Sequence, residues 1–222
     1  MKKTEKALVL LSGGQDSTTC LAVALSEHDV VETICFDYGQ RHQIEVQQAH
    51  EIARVAGVPL HTCEIPNLSA LTSNSLTSHD IPITSDGKKG SLPSTFVPGR
   101  NMLFLTLAAT YAYQRGIRVL YMGVCQTDYS GYPDCRETFI QHCEKSLNLA
   151  METTFEVRAP LMHCTKAETI QLMQKLGRLE WYKSSHTCYE GLRPACGVCP
   201  ACELRLKGFK DAGVLDPLDY RH

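Results

Sequence analysis

With 222 residues, 43% of them hydrophobic and 21% charged, the chain has the make-up of one soluble globular domain of ordinary to large size. A domain that long buries roughly 70% of its unfolded surface. A net charge of −2 argues against a broadly basic nucleic-acid-binding surface, because neutralising a phosphate backbone takes clustered Lys and Arg. No apolar run approaches the roughly 18 residues of a membrane span, and the apolar part of Met1–Leu11 is too short for a signal peptide.

In chain order, Ala7–Leu11 comes first, short and aliphatic as in a strand buried on both faces of a parallel sheet. Ser12, Gly13, Gly14, Gln15, Asp16 and Ser17 follow, and then a helical segment from Thr18 through Thr19, Cys20 and Leu21 to Leu25. A strand, a tight Gly-rich turn and a helix start form a phosphate cradle. The glycines let successive N–H groups converge, and the helix N-terminus adds partial positive charge. The hydroxyls of Ser12, Ser17 and Thr18 are expected to donate to phosphate oxygens. This is not a Walker A loop, since no Gly-Lys-Ser/Thr triplet occurs, and no G-x-G-x-x-G fingerprint is present. The pattern S-G-G-x-D-S directly after a strand resembles the pyrophosphate loop of the N-type ATP pyrophosphatases. That resemblance implies cleavage of ATP between its α and β phosphates and transfer of AMP to a carbonyl oxygen. The blander alternative is a Gly-Gly turn that only joins a strand to a helix.

Val30–Phe36 reads as a second strand, running into Asp37-Tyr38-Gly39-Gln40. A helix from about Gln43 to Ala56 keeps Ala49, Ile52, Ala53 and Ala56 on one face, with Gly57 as its C-cap. Leu60–Ile65 is a third strand. Asn67–Val97 lacks periodicity, and is either a lid beside the active site or a disordered insertion. Asn101–Gln114 is apolar nearly all round and predicts a buried helix ended by Gly116. Val119–Val124 and Thr154–Ala159 are the fourth and fifth strands, with a helix over Cys135–Ala150 between them. Thr165-Lys166-Ala167-Glu168 is a capping box that opens another helix. This alternation predicts a doubly wound α/β domain with a parallel sheet, whose ligands sit beyond the carboxyl ends of the strands.

The eleven cysteines are odd in number and come with no export signal. Cys20, Cys35, Cys63, Cys125, Cys143 and Cys164 lie in apolar segments, as buried free thiols do in a reducing, cytoplasmic setting. Cys188, Cys196, Cys199 and Cys202 are spaced C-x7-C-x2-C-x2-C, a donor set for one closed, tetrahedral structural Zn²⁺. An iron–sulfur cluster also takes four Cys, and the short spacing favours zinc. Such a site contributes on the order of 10–16 kcal/mol, enough to fold a tail that builds no core of its own. His186 is a spare donor beside four that suffice. The chain thus reads as one domain over residues 1–222, with 186–212 as a zinc-stapled extension.

Taken together and in this order, SGGQDSTTCL, FDYGQRH, FVPGRNMLFLTLAA, GVCQTDYSGYPDCR and the four-Cys tail resemble the 7-cyano-7-deazaguanine synthase family of the queuosine pathway. The likeness runs from about Leu8 to about Phe209 and implies an adenine nucleotide alpha hydrolase-like, Rossmann-like fold. It implies conversion of 7-carboxy-7-deazaguanine and ammonia to the 7-nitrile, with ATP and Mg²⁺, through an adenylated acid and an adenylated amide. The implied partners are small molecules, with no membrane, no direct nucleic acid and a frequent homodimer. Within that reading, Leu11 to Leu21 hold the ATP phosphates, and Asp16 orients the loop or binds Mg²⁺. Lys166 and Arg100 neutralise charge at the α-phosphate, and Asp128, Asp134 and Arg136 read the deazaguanine edge. For Lys166 and Arg100 the alternative is a surface charge near a helix N-terminus; for Asp134 it is a residue that closes a turn. No glutaminase-like segment is left over, so ammonia is taken free or from a separate protein. The rival functions are a tRNA thiolase of the same superfamily, a zinc-ribbon interaction module with a degenerate loop, and a relative that stops at the amide or uses another amine.

Overall fold

The computed structural model describes residues 5–40, 44–66, 68–72, 74–76, 81, 92–127 and 132–221. Its centre is a sheet of β1 (Lys6–Leu10), β2 (Val30–Asp37), β3 (Leu60–Glu64), β4 (Val119–Tyr121) and β5 (Glu156–Arg158), in the order β3-β2-β1-β4-β5. Every pairing is parallel, and Leu8 of β1 lies between Glu32 of β2 and Leu120 of β4. The doubly wound parallel sheet expected from the alternating pattern is present. Strand order reverses between β1 and β4, so the crevice at their carboxyl ends is the topological switch point.

Side chains alternate along β1 with a period of two. Ala7 and Val9 pack toward α1 (Gln15–Glu27) and α2 (Ile44–Ala56), while Leu8 and Leu10 pack toward α4 (Arg100–Gln114) and α5 (Glu137–Met151). Helices on both faces explain why this strand is aliphatic at every position from Ala7 to Leu10 rather than at alternate ones. Burying each of these large side chains stabilises the fold by about 1.5–3 kcal/mol. A short α3 (Leu68–Leu71) precedes α4, and α6 (Lys166–Lys175) packs on α7 (Pro200–Ala212). Among the described residues no helix is long and apolar enough to cross a membrane.

Several boundaries differ from the sequence pattern for local reasons. The first helix begins at Gln15 rather than Thr18, because Gly14 is already its extended N-cap and Thr18 N donates to Gly14 O at 3.1 Å. Half of the S-G-G-Q-D-S motif is therefore the first turn of α1. The fourth strand stops at Tyr121, not Val124: Gly123 passes so close to α1 that an added Cβ would lie 2.8 Å from Ser17 N. The fifth strand is also shorter, covering only Glu156–Arg158. The helix expected to be buried all round, α4, buries Leu105, Ala108, Ala109 and Ala112 but leaves Met102 50% and Tyr113 44% exposed. It covers one face of the sheet, so its outer side meets solvent.

Other expectations hold. Thr165 Oγ1 accepts from Glu168 N at 3.2 Å and Glu168 Oε2 from Thr165 N at 2.7 Å, which closes the capping box of α6. Gly57 and Gly116 follow their helices with φ of +70° and +66°. Of the long segment 67–97, positions 67, 73, 77–80 and 82–91 lie outside the described residues. Its two ends are tied by Ser75 N, which donates to Ser94 O at 2.9 Å.

The segment beyond α7 folds back onto the protein through a pair that no local pattern announces. The Arg205 side chain is 1% exposed; its Nε and Nη2 donate to Asp216 Oδ2 and Oδ1 at 2.7 and 2.8 Å. Nη1 donates to Ser185 Oγ at 2.8 Å, and Nη2 also donates to Tyr182 O at 3.1 Å. Removing one member of a buried pair strands the other charge. Asp216→Ala is therefore expected to cost about 3–5 kcal/mol, read as a lower urea midpoint at unchanged slope.

Candidate active site and metal centre

The phosphate loop is held from within and from behind. Ser12 N donates to Ser17 Oγ at 3.2 Å, the two hydroxyls lie 3.0 Å apart, and Ser17 Oγ lies 3.1 Å from Gly14 O. From the tail, His186 N donates to Gly13 O at 2.9 Å. The N–H groups of Gln15, Asp16 and Ser17 belong to the first turn of α1 and so have no intrahelical acceptor. That is the physical basis of an anion cradle.

A cavity of about 800 Å³ opens in front of this loop, at the switch point. From the segment Leu11 to Leu21, it is lined by Leu11, Ser12, Asp16 and Ser17. Gln15, Thr18, Thr19, Cys20 and Leu21 are buried behind it. Two of those hydroxyls serve the fold. Thr18 Oγ1 donates to Gly14 O at 2.8 Å, which corrects the expectation that it faces phosphate, and Thr19 Oγ1 sits 2.6 Å from Tyr182 Oη.

Lys166 and Asp16, far apart in sequence, meet in the cavity wall. Lys166 Nζ donates to Asp16 Oδ1 and Oδ2 at 2.8 and 2.6 Å. Lys166 stands in the first turn of α6 and Asp16 in the first turn of α1, so the pair joins two helix N-termini at one point. Behind it α7 crosses closely, and a Cβ on Gly208 would lie 2.7 Å from Lys166 Cβ. Gly208→Ala is expected to displace Lys166, cost about 1–3 kcal/mol, and weaken nucleotide binding. Thermal melting and an ATP titration of the same sample check it.

The other sequence-derived candidates are distributed differently. Arg100, at the start of α4, lines the cavity, with Nη1 3.3 Å from Tyr38 Oη. Asp134 and Arg136 do not line it. Asp134 is 8% exposed; its Oδ2 accepts from Asn101 N at 3.2 Å and its carbonyl from Asn101 Nδ2 at 3.1 Å. It braces the start of α4, a long-range contact that neither the substrate-reading nor the turn-closing expectation names. Arg136 is exposed as the N-cap of α5. Asp128 lies outside the described residues.

Some wall residues were not singled out from sequence: Glu45, Tyr38, Tyr132 and Tyr189. Burial raises the Glu45 carboxyl above its ordinary value, and the nearby Arg100 guanidinium pulls it back down. Burial likewise raises the Tyr38 hydroxyl, against the opposing pull of Arg100. Tyr38 at the end of β2 was legible in principle, as the polar exit of a strand. Glu45 was hidden in an ordinary amphipathic helix start. Cys125 and Cys135 also line the cavity. Burial, and after it the charge of Asp134, pushes the Cys135 thiol up to about 11, so it stays protonated at neutral pH.

In the tail, the ligand atoms of Cys188, Cys196, Cys199 and Cys202 all lie within 4.8 Å of one another. Cys196 N points to Cys188 Sγ at 3.5 Å and Cys199 N to Cys196 Sγ at 3.3 Å, contacts that favour thiolates. Cys196 Sγ and Cys202 Sγ are 3.8 Å apart. A tetrahedron with metal–sulfur bonds of about 2.3 Å has edges of about 3.8 Å, so the four sulfurs fit one small ion. An iron–sulfur cube would hold its thiolates farther apart. Cys20, Cys35, Cys63, Cys125, Cys143 and Cys164 are free thiols, as expected, and so is Cys135, for which no expectation was set.

A parallel sheet with a phosphate loop of this type at its switch point defines an α/β protein with the PP-loop fold. A 4-thiouridine synthetase–RNA complex with bound ATP has the same fold, with a TM-score of 0.54 at 20% identity; the match covers 94% of this chain and 50% of that one. The family model for the queuosine biosynthesis protein QueC matches residues 6–213, and the chain belongs to that family. It is 53% identical over 217 residues to the 7-cyano-7-deazaguanine synthase of Chromobacterium violaceum, covering 96% of this chain and 93% of that protein. To the 7-cyano-7-deazaguanine synthase of Bacillus subtilis it is 51% identical over 215 residues, covering 96% and 97%.

Proposed function

We propose that the chain is an ATP-dependent, C–N bond-forming enzyme that converts 7-carboxy-7-deazaguanine and ammonia to 7-cyano-7-deazaguanine. Besides family membership, one observation carries the reading. The phosphate loop and an aromatic, charged wall share a single cavity, so a nucleotide α-phosphate and a base carboxyl have one place to meet.

The chemistry needs two activations of one carbon. A carboxylate oxygen attacks the α-phosphorus of ATP and pyrophosphate leaves into the cradle of Ser12–Ser17. Ammonia adds to the acyl carbon and AMP leaves, giving the amide. The amide oxygen then attacks a second ATP, again releasing pyrophosphate. Loss of both N–H protons and of AMP leaves the C≡N bond. Lys166 supplies a positive charge where the α-phosphate builds negative charge in each attack. Its partner Asp16 would hold Mg²⁺, which supplies charge neutralisation when bound. The Cys188, Cys196, Cys199 and Cys202 site would hold one Zn²⁺ in a structural role, since four thiolates leave no open position. Ammonia enters free or from a separate protein, and the seven other free thiols suit a reducing, cytoplasmic compartment.

Mass spectrometry of a reaction holding the metal-loaded protein, 7-carboxy-7-deazaguanine, ammonium, Mg²⁺ and ATP tests this directly. Nitrile with two AMP per product is the expected result. AMP with amide alone would place the chain among relatives that stop halfway. No AMP and no altered base would overturn the substrate assignment, and thiolation of tRNA would then be assayed.

A further inference from the structure

The cavity extends from the phosphate loop to a wall made by five residues from separate segments. Tyr38 follows β2, Glu45 stands in the first turn of α2, Arg100 opens α4, and Tyr132 and Tyr189 come from loops. Arg100 packs on Tyr38, its guanidinium carbon 6.0 Å from the ring centroid, besides the 3.3 Å contact to the hydroxyl. Phe104 lines the same space, stacked on Phe36 at 4.3 Å and tilted against Tyr38 at 5.5 Å. A carboxylate and a guanidinium therefore stand together among aromatic rings. Among the described residues the Glu45 carboxylate makes no hydrogen bond or ion pair; its neighbouring charge is Arg100. A half-buried carboxylate that faces a cavity without a donor is costly, so the site is built for donors that a ligand brings.

The donor pattern discriminates between the two bases the proposed reaction uses. A carboxylate only accepts and a guanidinium only donates. The guanine edge offers an acceptor, O6, next to two donors, N1–H and the 2-amino group. Arg to O6 and a carboxylate to the two donors satisfies all three. Adenine offers one donor at N6 beside a lone pair at N1, which a carboxylate oxygen repels. Flat aromatic side chains supply stacking for either base.

We infer that Glu45 and Arg100 read the guanine edge of the deazapurine substrate and set its preference over adenine-type bases. The inference rests on the proposed function and names the subsite within it. It also gives Arg100 a role in substrate recognition rather than at the α-phosphate. The backbone carbonyl of Glu45 packs on the phosphate loop, where a Gly13 Cβ would lie 2.5 Å from it, so the base and phosphate subsites share one rigid corner.

Calorimetric titration of the metal-loaded wild type and of Glu45→Gln decides the matter, using 7-carboxy-7-deazaguanine, its 2-deamino analogue and a non-hydrolysable ATP analogue. Glu45→Gln is expected to bind the deazaguanine about 100-fold more weakly. Its affinity for the ATP analogue should be unchanged, which also reports that it is folded. In the wild type, loss of the 2-amino group is expected to weaken binding by a similar factor; in Glu45→Gln the two ligands should bind alike. Unchanged deazaguanine affinity in the variant, or a loss that falls on the ATP analogue instead, overturns the inference while leaving the function standing. Equal wild-type affinity for the two base ligands overturns it without reliance on any variant. If wild-type protein binds the ATP analogue but not 7-carboxy-7-deazaguanine, the functional reading itself fails, and this inference with it.

Discussion

Replacing Gly13 by alanine is expected to cut ATP turnover by about 100-fold or more, because misplacing a binding group by about 1 Å suffices for that loss. Gly13 has φ of +82°, in the left-handed region. An added Cβ there would lie 2.5 Å from Glu45 O, 2.8 Å from Ala49 N and 2.8 Å from Gln48 Cβ. Two of these atoms are backbone in the first turns of α2 and cannot swing aside. The left-handed conformation costs an L-residue about 1–2 kcal/mol and the overlap about 1–3, so stability should fall by about 2–5 kcal/mol. The neighbouring glycine is the control. Gly14 has φ of −81°, and a Cβ there would meet nothing nearer than Ser12 Oγ at 3.5 Å. Gly14→Ala should therefore fold with near-wild-type stability, and any lost turnover would come from the ligand side. Pyrophosphate release and urea titration of both variants separate the two. A Gly13→Ala protein with wild-type turnover would show that the loop is not held against α2 as described.

The contrast shows which parts of this protein a sequence can announce. The β1–loop–α1 unit was legible because it is local: a continuous aliphatic strand, two glycines and a helix start follow within a dozen residues. The capping box at Thr165 and the four-Cys spacing are local in the same sense. What stayed hidden depends on who faces whom. The pairing of Lys166 with Asp16 crosses 150 residues. Arg205 reads as one more charge on a helix, and only the return of the chain to Asp216 lets it stand among the largest fully buried side chains of the described residues. Asp134 sits in a turn whose sequence suits ligand reading as well as it suits closing a turn, and what the sequence did not announce is its contact with Asn101 at the start of α4. Glu45 has the opposite history: a routine acidic residue in a helix first turn, which the packing of α2 on the loop carries to the cavity wall. The apolar surround of α4 misled because hydrophobic composition measures what can be buried, and here one sheet face covers only one side of the helix.

Removal of the metal should have the widest effect on the molecule. The cysteine cluster is only the anchor of a wall that includes functional positions. Cys199 is the N-cap of α7 and Cys202 lies in its first turn, while Ala201, Leu204, Lys207 and Gly208 of the same helix line the cavity. Cys188 directly precedes Tyr189 of the aromatic cavity wall, and His186 N holds the phosphate loop through Gly13 O. The apolar contacts around the cluster are few: buried Ala195 and the partly buried Tyr189, Leu192, Ala201, Leu218 and Tyr220. With binding worth on the order of 10–16 kcal/mol and so little packing beside it, this tail should not persist without its ion. Chelation, or Cys202→Ser, is expected to abolish hydrogen-exchange protection over 186–212 while the β1–β5 sheet stays protected. Nucleotide affinity should fall together with it, because α7 backs Lys166. Acidification should act in the same direction, since thiolates must be protonated as the ion leaves. Retained protection of α7 and unchanged ATP affinity after complete chelation would show that the Arg205–Asp216 pair and the α6–α7 contact hold the wall unaided. Loss of both would make the metal a structural requirement for the cavity wall that α7 and Tyr189 build.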